Sequence, residues 1–301
     1  MAAGLLLPSL SRILCQISIH VSGKRQRPIC SSALVKGGLA LEKSTVIGIV
    51  LGFVSVFVGM VLKGAPISSL SNPAAFLIII GGTFSCLFTG FTLEQMRNFP
   101  VLIKKTFKSP DNRPKADLLR LFVELSQIAR REGILALENK VADIKDPFFK
   151  SGLNMVIDGM DPEFVSDVLD AELQVMEQRH AEGMSIFTQA GTYAPTLGVL
   201  GAVVGLIAAL GNLKDIDKLG HAIAAAFVAT LLGIFTGYVL WLPFANKLKI
   251  MSQMEVAQKR MIIEGILSLQ AGDSPTAIEA KLMVFIPQTE RDQIKSGKAG
   301  E

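Results

Sequence analysis

Four segments without a charged side chain dominate this sequence of 301 residues. They are residues 44–62, 64–93, 183–213 and 222–246. Each reaches or approaches the roughly 20 residues that an α-helix needs to cross a bilayer. A soluble protein of this size would have to bury all four in one core, which its small volume disfavours. The sequence therefore predicts an all-α integral membrane protein with four transmembrane helices.

The composition agrees with membrane helices that pack closely. Half of the residues are hydrophobic, only 7% are aromatic, and 27 are glycine. Within the second segment, residues 64–73 have the Gly, Pro, Ser and Asn content of a short connection. The second helix is therefore expected from residue 74 to about residue 93.

Lysine and arginine cluster after the second and fourth segments. They are Arg97, Lys104, Lys105 and Lys108 after the second, and Lys247, Lys249, Lys259 and Arg260 after the fourth. The other two connections carry only Lys63 and two lysines that are interleaved with aspartates. Positive residues favour the cytoplasmic side, so both termini and residues 94–182 are expected there.

The long connection between the second and third segments is predicted to be a helical cytoplasmic domain. Leu118, Phe122, Leu125 and Ala129 recur at helical spacing, and Gly133 breaks the pattern. After the fourth segment, the helix is expected to continue outside the membrane and to end near Gly272 as part of a helical cytoplasmic tail. The predicted domains are residues 42–93 with helices 1 and 2, 94–186 in the cytoplasm, 187–246 with helices 3 and 4, and 247–301 as the tail.

Residues 1–41 are set apart by several basic residues and by the absence of acidic residues before position 41. This composition is typical of an organellar transit peptide and is a poor secretory signal. The alternative is a stretch that is not native, with translation beginning at Leu41. In either case we expect these residues to contribute nothing to the fold.

The four segments contain no ionisable residue that could serve as an ion relay. Proteins that move ions by themselves hold such residues at membrane depth. His221 lies at the edge of the fourth helix and is expected to be structural. Small residues recur every three or four positions on helices 3 and 4, which predicts close contact with other helices. An ion path here would need a carboxylate from a partner.

Polar groups that could line such a path are few. They are Thr192, Tyr193, Thr196, Thr230 and any carbonyl group that Pro195 frees from hydrogen bonding. Pro195 lies inside helix 3 and Pro243 lies near the inner end of helix 4. Each removes a backbone hydrogen bond, and the sequence alone allows either a packing kink or a mechanistic role.

The last two segments resemble a known family. The run FTQAGTYAPTLGVLGAVVGLIAAL at 187–210 and the run LGHAIAAAFVATLLGIFTGYVLWLPFANKLK at 219–249 are similar to the paired third and fourth helices of flagellar stator A subunits, the MotA family. VGMVLKG, NPAAFLIIIGGT and the cytoplasmic ARREGILALE extend the similarity to nearly everything after residue 41. ExbB and TolQ are more distant relatives that usually have three spans.

The resemblance implies a bacterial cell membrane protein and a mechanism. In the family, a ring of A subunits surrounds two B subunits of the MotB type, and an Asp on the B-subunit helix binds and releases the ion. The family's ion-path threonine corresponds to Thr230, and its two mechanistic prolines correspond to Pro195 and Pro243. This role requires no cofactor other than the transported ion.

The resemblance also places charges that contact the rotor protein FliG at Arg130 and Glu138. Arg131 neighbours Arg130 and shares the assignment. If the helix continues past Gly133, their spacing of eight residues puts them about two turns apart, near one face. Sodium-driven relatives tend to have a hydroxyl residue where this chain has Ala202, so protons are the expected ion.

Other classes of function fit less well. A self-sufficient channel is disfavoured by the missing carboxylate, and an ExbB or TolQ energiser is disfavoured by the four spans and by ARREGILALE. The sequence shows no nucleophile motif, metal cluster or phosphate loop, so an enzyme is not expected. Cys15, Cys30 and Cys86 form no CxxC pair, and no basic run suggests nucleic acid. The expected partners are the B subunit, FliG, further A subunits and membrane lipid.

Overall fold

The structure is a computed structural model that describes residues 42–64, 67–108, 114–211 and 213–295. The described residues form helices and turns and contain no β-strand. The expectations for the N-terminal extension lie outside the described residues, as do Cys15 and Cys30.

Four helices are long and apolar enough to cross a membrane, in agreement with the prediction. They are α1 at Lys43–Leu62, α2 at Pro73–Gly90, α8 at Pro162–Leu210 and α9 at Ile216–Gln270. Helix α2 contains a π-helical turn at Leu77–Gly81, and α9 contains one at Thr236–Trp241. No residue of α1 is buried, so this helix lies at the periphery of the isolated chain.

Shorter helices fill the connection between α2 and α8 and follow α9. They are α3 at Leu93–Arg97, α4 at Phe99–Phe107, α5 at Lys115–Glu132, α6 at Glu138–Val141, α7 at Pro147–Ile157, α10 at Pro275–Met283 and α11 at Gln288–Lys295.

Helix α8 runs without interruption from the domain that precedes the third uncharged segment through that segment. Its 49 residues correspond to about 70 Å, more than twice the hydrocarbon thickness of a bilayer. Helix α9 returns antiparallel to α8 and extends beyond the fourth segment to Gln270, as predicted for the tail. The predicted domain boundary at residue 186 therefore falls inside a continuous helix.

Short polar residues followed by proline start several of these helices. The side chains of Asn72, Asp146, Asp161 and Ser274 each accept a hydrogen bond from a backbone N–H in the first turn, and proline follows each one. A capping side chain satisfies a free N–H, and proline at the next position loses no helical bond. These pairs fix where α2, α7, α8 and α10 begin.

The part of the chain outside the uncharged segments has its own hydrophobic core. Side chains from α5, α7, α8, α9 and α10 meet around Phe122 and Phe149, whose ring centroids are 4.8 Å apart. Leu118, Phe122 and Leu125 are buried, as their helical spacing predicted. The N-terminal half of α8 and the C-terminal half of α9 are therefore part of this domain.

A second cluster of aromatic rings joins α4 to the α8–α9 pair. The ring of Phe99 lies 5.1 Å from that of Phe187 and 6.1 Å from that of Trp241, centroid to centroid. Phe244 packs against both Phe187 and Trp241. Aromatic residues favour the membrane–water boundary. The cluster joins the uncharged segments of α8 and α9 to α4, which lies outside those segments.

Candidate functional site: the crossing of α8 and α9

Glycine and alanine bring the backbones of α8 and α9 into contact. A methyl group added at Gly198 would lie 2.9 Å from the Cα of Gly233, and one added at Gly201 would lie 3.2 Å from the Cβ of Ala229. One added at Gly205 would meet Ala226 at 3.1 Å. The small residues predicted to allow close packing thus join the two helices of one chain.

Pro195 lies on this contact, opposite Gly237. A methyl group added at Gly237 would lie 2.7 Å from Cγ of Pro195 and 2.8 Å from the carbonyl oxygen of Gly191. Gly191 is four residues before Pro195, so its carbonyl is the one that loses its helical donor to the proline ring. The freed carbonyl of Gly191 and the ring of Pro195 both face Gly237. Any larger residue at position 237 would push the two helices apart.

Pro243 follows the π-helical turn of α9. Proline has no N–H for the carbonyl of Val239, so the preceding turn cannot close with regular bonds. Helix α9 is widened over Thr236–Trp241 at this place. Thr236 is buried there, and its hydroxyl donates to the carbonyl of Leu232 over 2.9 Å. Such π turns are frequent at functional sites.

Thr230 and Ala202 lie at the same level of the crossing. Ala229 contacts Gly201, and Thr230 and Ala202 follow them in sequence. Both are partly buried, and the hydroxyl of Thr230 donates to the carbonyl of Ala226 over 3.4 Å. Ala202 offers only a methyl group. Thr196 is exposed beside Pro195, and its hydroxyl donates to the carbonyl of Tyr193 over 2.7 Å.

The structure thus brings the predicted membrane residues onto one helix pair. Pro195, Thr196, Ala202 and Thr230 lie along the crossing, and Pro243 lies six residues beyond Gly237, about 9 Å farther along α9. Sequence analysis did not predict the π turn or the packing of Pro195 against Gly237.

The predicted rotor-contact residues are elsewhere, at a turn of the domain between α2 and α8. Helix α5 ends at Glu132, because Gly133 adopts φ 89° and ψ 165°. The continued helix that would align Arg130 and Glu138 is therefore not formed. Instead, a 3-10 turn at Ile134–Leu137 reverses the chain. Arg130, Arg131 and Glu138 are all exposed on either side of this turn.

A polar cluster lies between the crossing and the core around Phe122 and Phe149. His180 accepts from or donates to Ser252 across 2.9 Å between Nδ1 and Oγ, and its Nε2 lies 3.9 Å from Glu255. Lys105 of α4 lies 3.8 Å from the same carboxylate. Burial lowers the pKa of His180 below its usual value, and the charge of Lys105 lowers it further. This His precedes the third uncharged segment by three residues.

Known proteins are similar to this chain over most of its length. Residues 140–261 match the MotA/TolQ/ExbB proton channel family, and residues 46–133 match the N-terminal region of motility protein A. Motility protein A of Bacillus subtilis is 52% identical over 87% of this chain and 96% of its own length. The chain belongs to the motility protein A family.

Solved structures of this family agree with the fold. The flagellar MotAB stator complex from Bacillus subtilis gives a TM-score of 0.81 at 52% identity, over 84% of this chain and 99% of the matched one. The MotAB structure from C. jejuni gives 0.78 at 31% identity, over 81% and 96%. The four-helix architecture is therefore that of motility protein A, a multi-pass membrane protein.

Proposed function

We propose that this chain is the A subunit of a bacterial flagellar stator, which forms an ion channel with a MotB-type B subunit and converts inward ion flow into torque. Similarity over almost the full length of a chain from a MotAB stator complex carries this proposal. The match of residues 46–133 to motility protein A favours the flagellar role over an ExbB or TolQ energiser.

The chemistry of the membrane helices supports a shared channel. Residues 183–210 of α8 and 222–246 of α9 carry no ionisable group except Tyr193 and Tyr238. A partner's Asp supplies the group that binds and releases the ion. Several apolar side chains of these helices are exposed in the single chain, including Phe227 at 72% and Ile207 at 65%. Further A subunits, the B-subunit helix and lipid cover them in the assembly.

The transported ion is a proton in this proposal, and the protein needs no other cofactor and is not an enzyme. Dehydrated sodium requires several oxygen ligands. The side chain of Ala202 has no oxygen, which leaves only the hydroxyl of Thr230 at this level of the crossing. The termini and residues 94–182 lie in the cytoplasm, because the clusters of lysine and arginine belong to that side.

The two prolines serve conformational coupling. Pro195 and the freed carbonyl of Gly191 rest against Gly237, and the π turn connects Gly237 to Pro243. In this proposal, a change in the charge of the B-subunit Asp acts on the contact between Pro195 and Gly237. Movement then passes along α8 and α9, which continue directly into the cytoplasmic domain.

The decisive experiment expresses this chain with its B subunit in a flagellated strain that lacks stators. Swimming speed is measured while external sodium is varied, and then after addition of a protonophore. Swimming that ignores sodium and stops with the protonophore is expected. Speed that follows sodium would overturn the choice of ion and keep the stator. No motility, with both subunits present in the membrane, would favour the non-flagellar energiser.

Rotor contact is assigned to the turn that carries Arg130, Arg131 and Glu138, which meets charges on FliG. The charge reversal Arg130→Glu should lower torque without changing the amount of protein in the membrane. Arg179→Glu is the matched control, because Arg179 is also exposed and outside the uncharged segments. Equal torque in the two variants would exclude this contact.

A further inference from the structure

Three threonines form a row on one exposed face of α8. Thr188, Thr192 and Thr196 are exposed and follow one another at intervals of four residues, so they lie on the same side of the helix. Beyond Thr196, the exposed side chains of α8 up to Leu210 are apolar. The row spans about 12 Å of the helix axis and ends within two turns of Glu182, the last charged residue before the segment.

Every hydroxyl of the row uses its proton inside the helix. Thr188 donates to the carbonyl of Met184 over 3.1 Å, Thr192 donates to that of Thr188 over 3.0 Å, and Thr196 donates to that of Tyr193 over 2.7 Å. The lone pairs of each oxygen remain to accept hydrogen bonds from outside. A series of acceptors without donors favours a cation or hydronium over an anion.

We propose that Thr188 and Thr192 extend the ion path inward from Thr196, as hydrogen-bond acceptors for a hydrated proton on its way to the cytoplasm. The inference rests on the proposed stator function. The proton moves on water from the partner's carboxylate, which regains its negative charge. The threonines keep their own protons and form no covalent bond. The exposed side chains of α8 after Thr196 are apolar, so other helices must provide the polar groups for the outer half of the ion path.

Threonine that bonds to its own helix also occurs on surfaces without such a role. Thr89 on α2 is an example, because it is exposed and donates to the carbonyl of Ser85 over 2.9 Å. Its helix ends at Gly90, so no helical turn follows Thr89 to continue a row of threonines, and Thr89→Val is therefore the matched control for Thr188→Val and Thr192→Val. Valine keeps the shape of threonine and removes the hydroxyl.

The test compares stators of the full chain with its B subunit in stator-deleted cells. Flagellar rotation is measured in H2O and D2O, with and without sodium, and co-purification of the B subunit reports assembly. Loss of one ordinary hydrogen bond corresponds to about fivefold in rate, so each Val variant should rotate several-fold more slowly. The slowing in D2O should increase, and the B subunit should still co-purify. Serine at either position should restore rotation.

Several results would overturn the inference. Unchanged rotation in the double variant would show that the hydroxyls are not used, and equal slowing in Thr89→Val would show a general effect. Loss of the B subunit from the purified complex would make the row a packing surface. Speed that follows sodium with an unchanged isotope effect would exclude hydronium. Absence of rotation with the parent chain would instead refute the proposed stator function.

Discussion

The contact between Gly198 and Gly233 leads to a prediction with a definite sign. In Gly233→Ala, the new methyl carbon would lie 2.7 Å from Cα of Gly198 and 2.8 Å from the carbonyl oxygen of Ala194. Carbon atoms in packed interiors approach to about 3.5–4.0 Å, so the space is short by about 1 Å. Both obstructing atoms belong to the backbone, and no rotamer change relieves them. The helices must separate, at a cost of about 1–3 kcal/mol.

Gly59→Ala on α1 is the control, because nothing lies within 4 Å of the added methyl group. Alanine favours helix over glycine by up to about 1 kcal/mol, so this variant should be as stable as the parent or more stable. The assay is thermal unfolding of the purified complex. Gly233→Ala should lower the midpoint by roughly 2–12 °C, whereas Gly59→Ala should not lower it.

The reciprocal change tests the same contact from α8. Gly198→Ala places its methyl group 2.9 Å from Cα of Gly233 and should also destabilise the pair. Once the helices have separated, the second methyl group costs less, so the double variant should lose less stability than the sum of the single losses. Equal midpoints for Gly233→Ala and Gly59→Ala would refute the close crossing.

Three further predictions concern the cytoplasmic part. The lowered pKa of His180 means that the unfolded chain binds a proton more readily, so stability should fall as pH drops below about 6.5. The fall in unfolding midpoint between pH 7.5 and 5.5 should be smaller in His180→Gln, and an equal fall would exclude His180 as its source. Gly133→Ala forces alanine to φ 89° and ψ 165°, so it should cost about 1–3 kcal/mol in unfolding free energy and reduce torque. Lys259→Met leaves Asp146 without its 2.7 Å ion pair, and faster proteolysis at α7 should follow; unchanged cleavage would contradict this role.

The sequence predicted the four spans because their signal is local. A long segment without charged residues indicates a membrane helix regardless of what the helix packs against. A short polar residue followed by proline indicates where a helix begins. The continuation of α9 to Gln270 and the break at Gly133 were also legible as local patterns.

Contacts between helices were less predictable. Recurring glycine and alanine indicate close packing, but the same pattern fits another copy, a B subunit or a helix of the same chain. Only the structure shows that Gly198 meets Gly233 and that Gly237 receives Pro195. The π turn before Pro243 depends on how α9 compensates a missing bond, and composition carries no signal for that choice. The direction of each threonine hydroxyl is likewise a property of the folded helix.

The unbroken course of α8 has a mechanical consequence. From Pro195 back to Pro162 the helix measures about 50 Å, and its N-terminal part packs in the core around Phe122 and Phe149. If the proposed coupling bends α8 at Pro195, the helix acts as a lever arm with its pivot at the proline. A tilt of about 5° at the pivot would displace the far end by about 4 Å, roughly one side-chain contact. Under the proposed coupling, a change of sub-ångström size around the proline ring would be enlarged severalfold by helix length alone, before any movement of whole subunits.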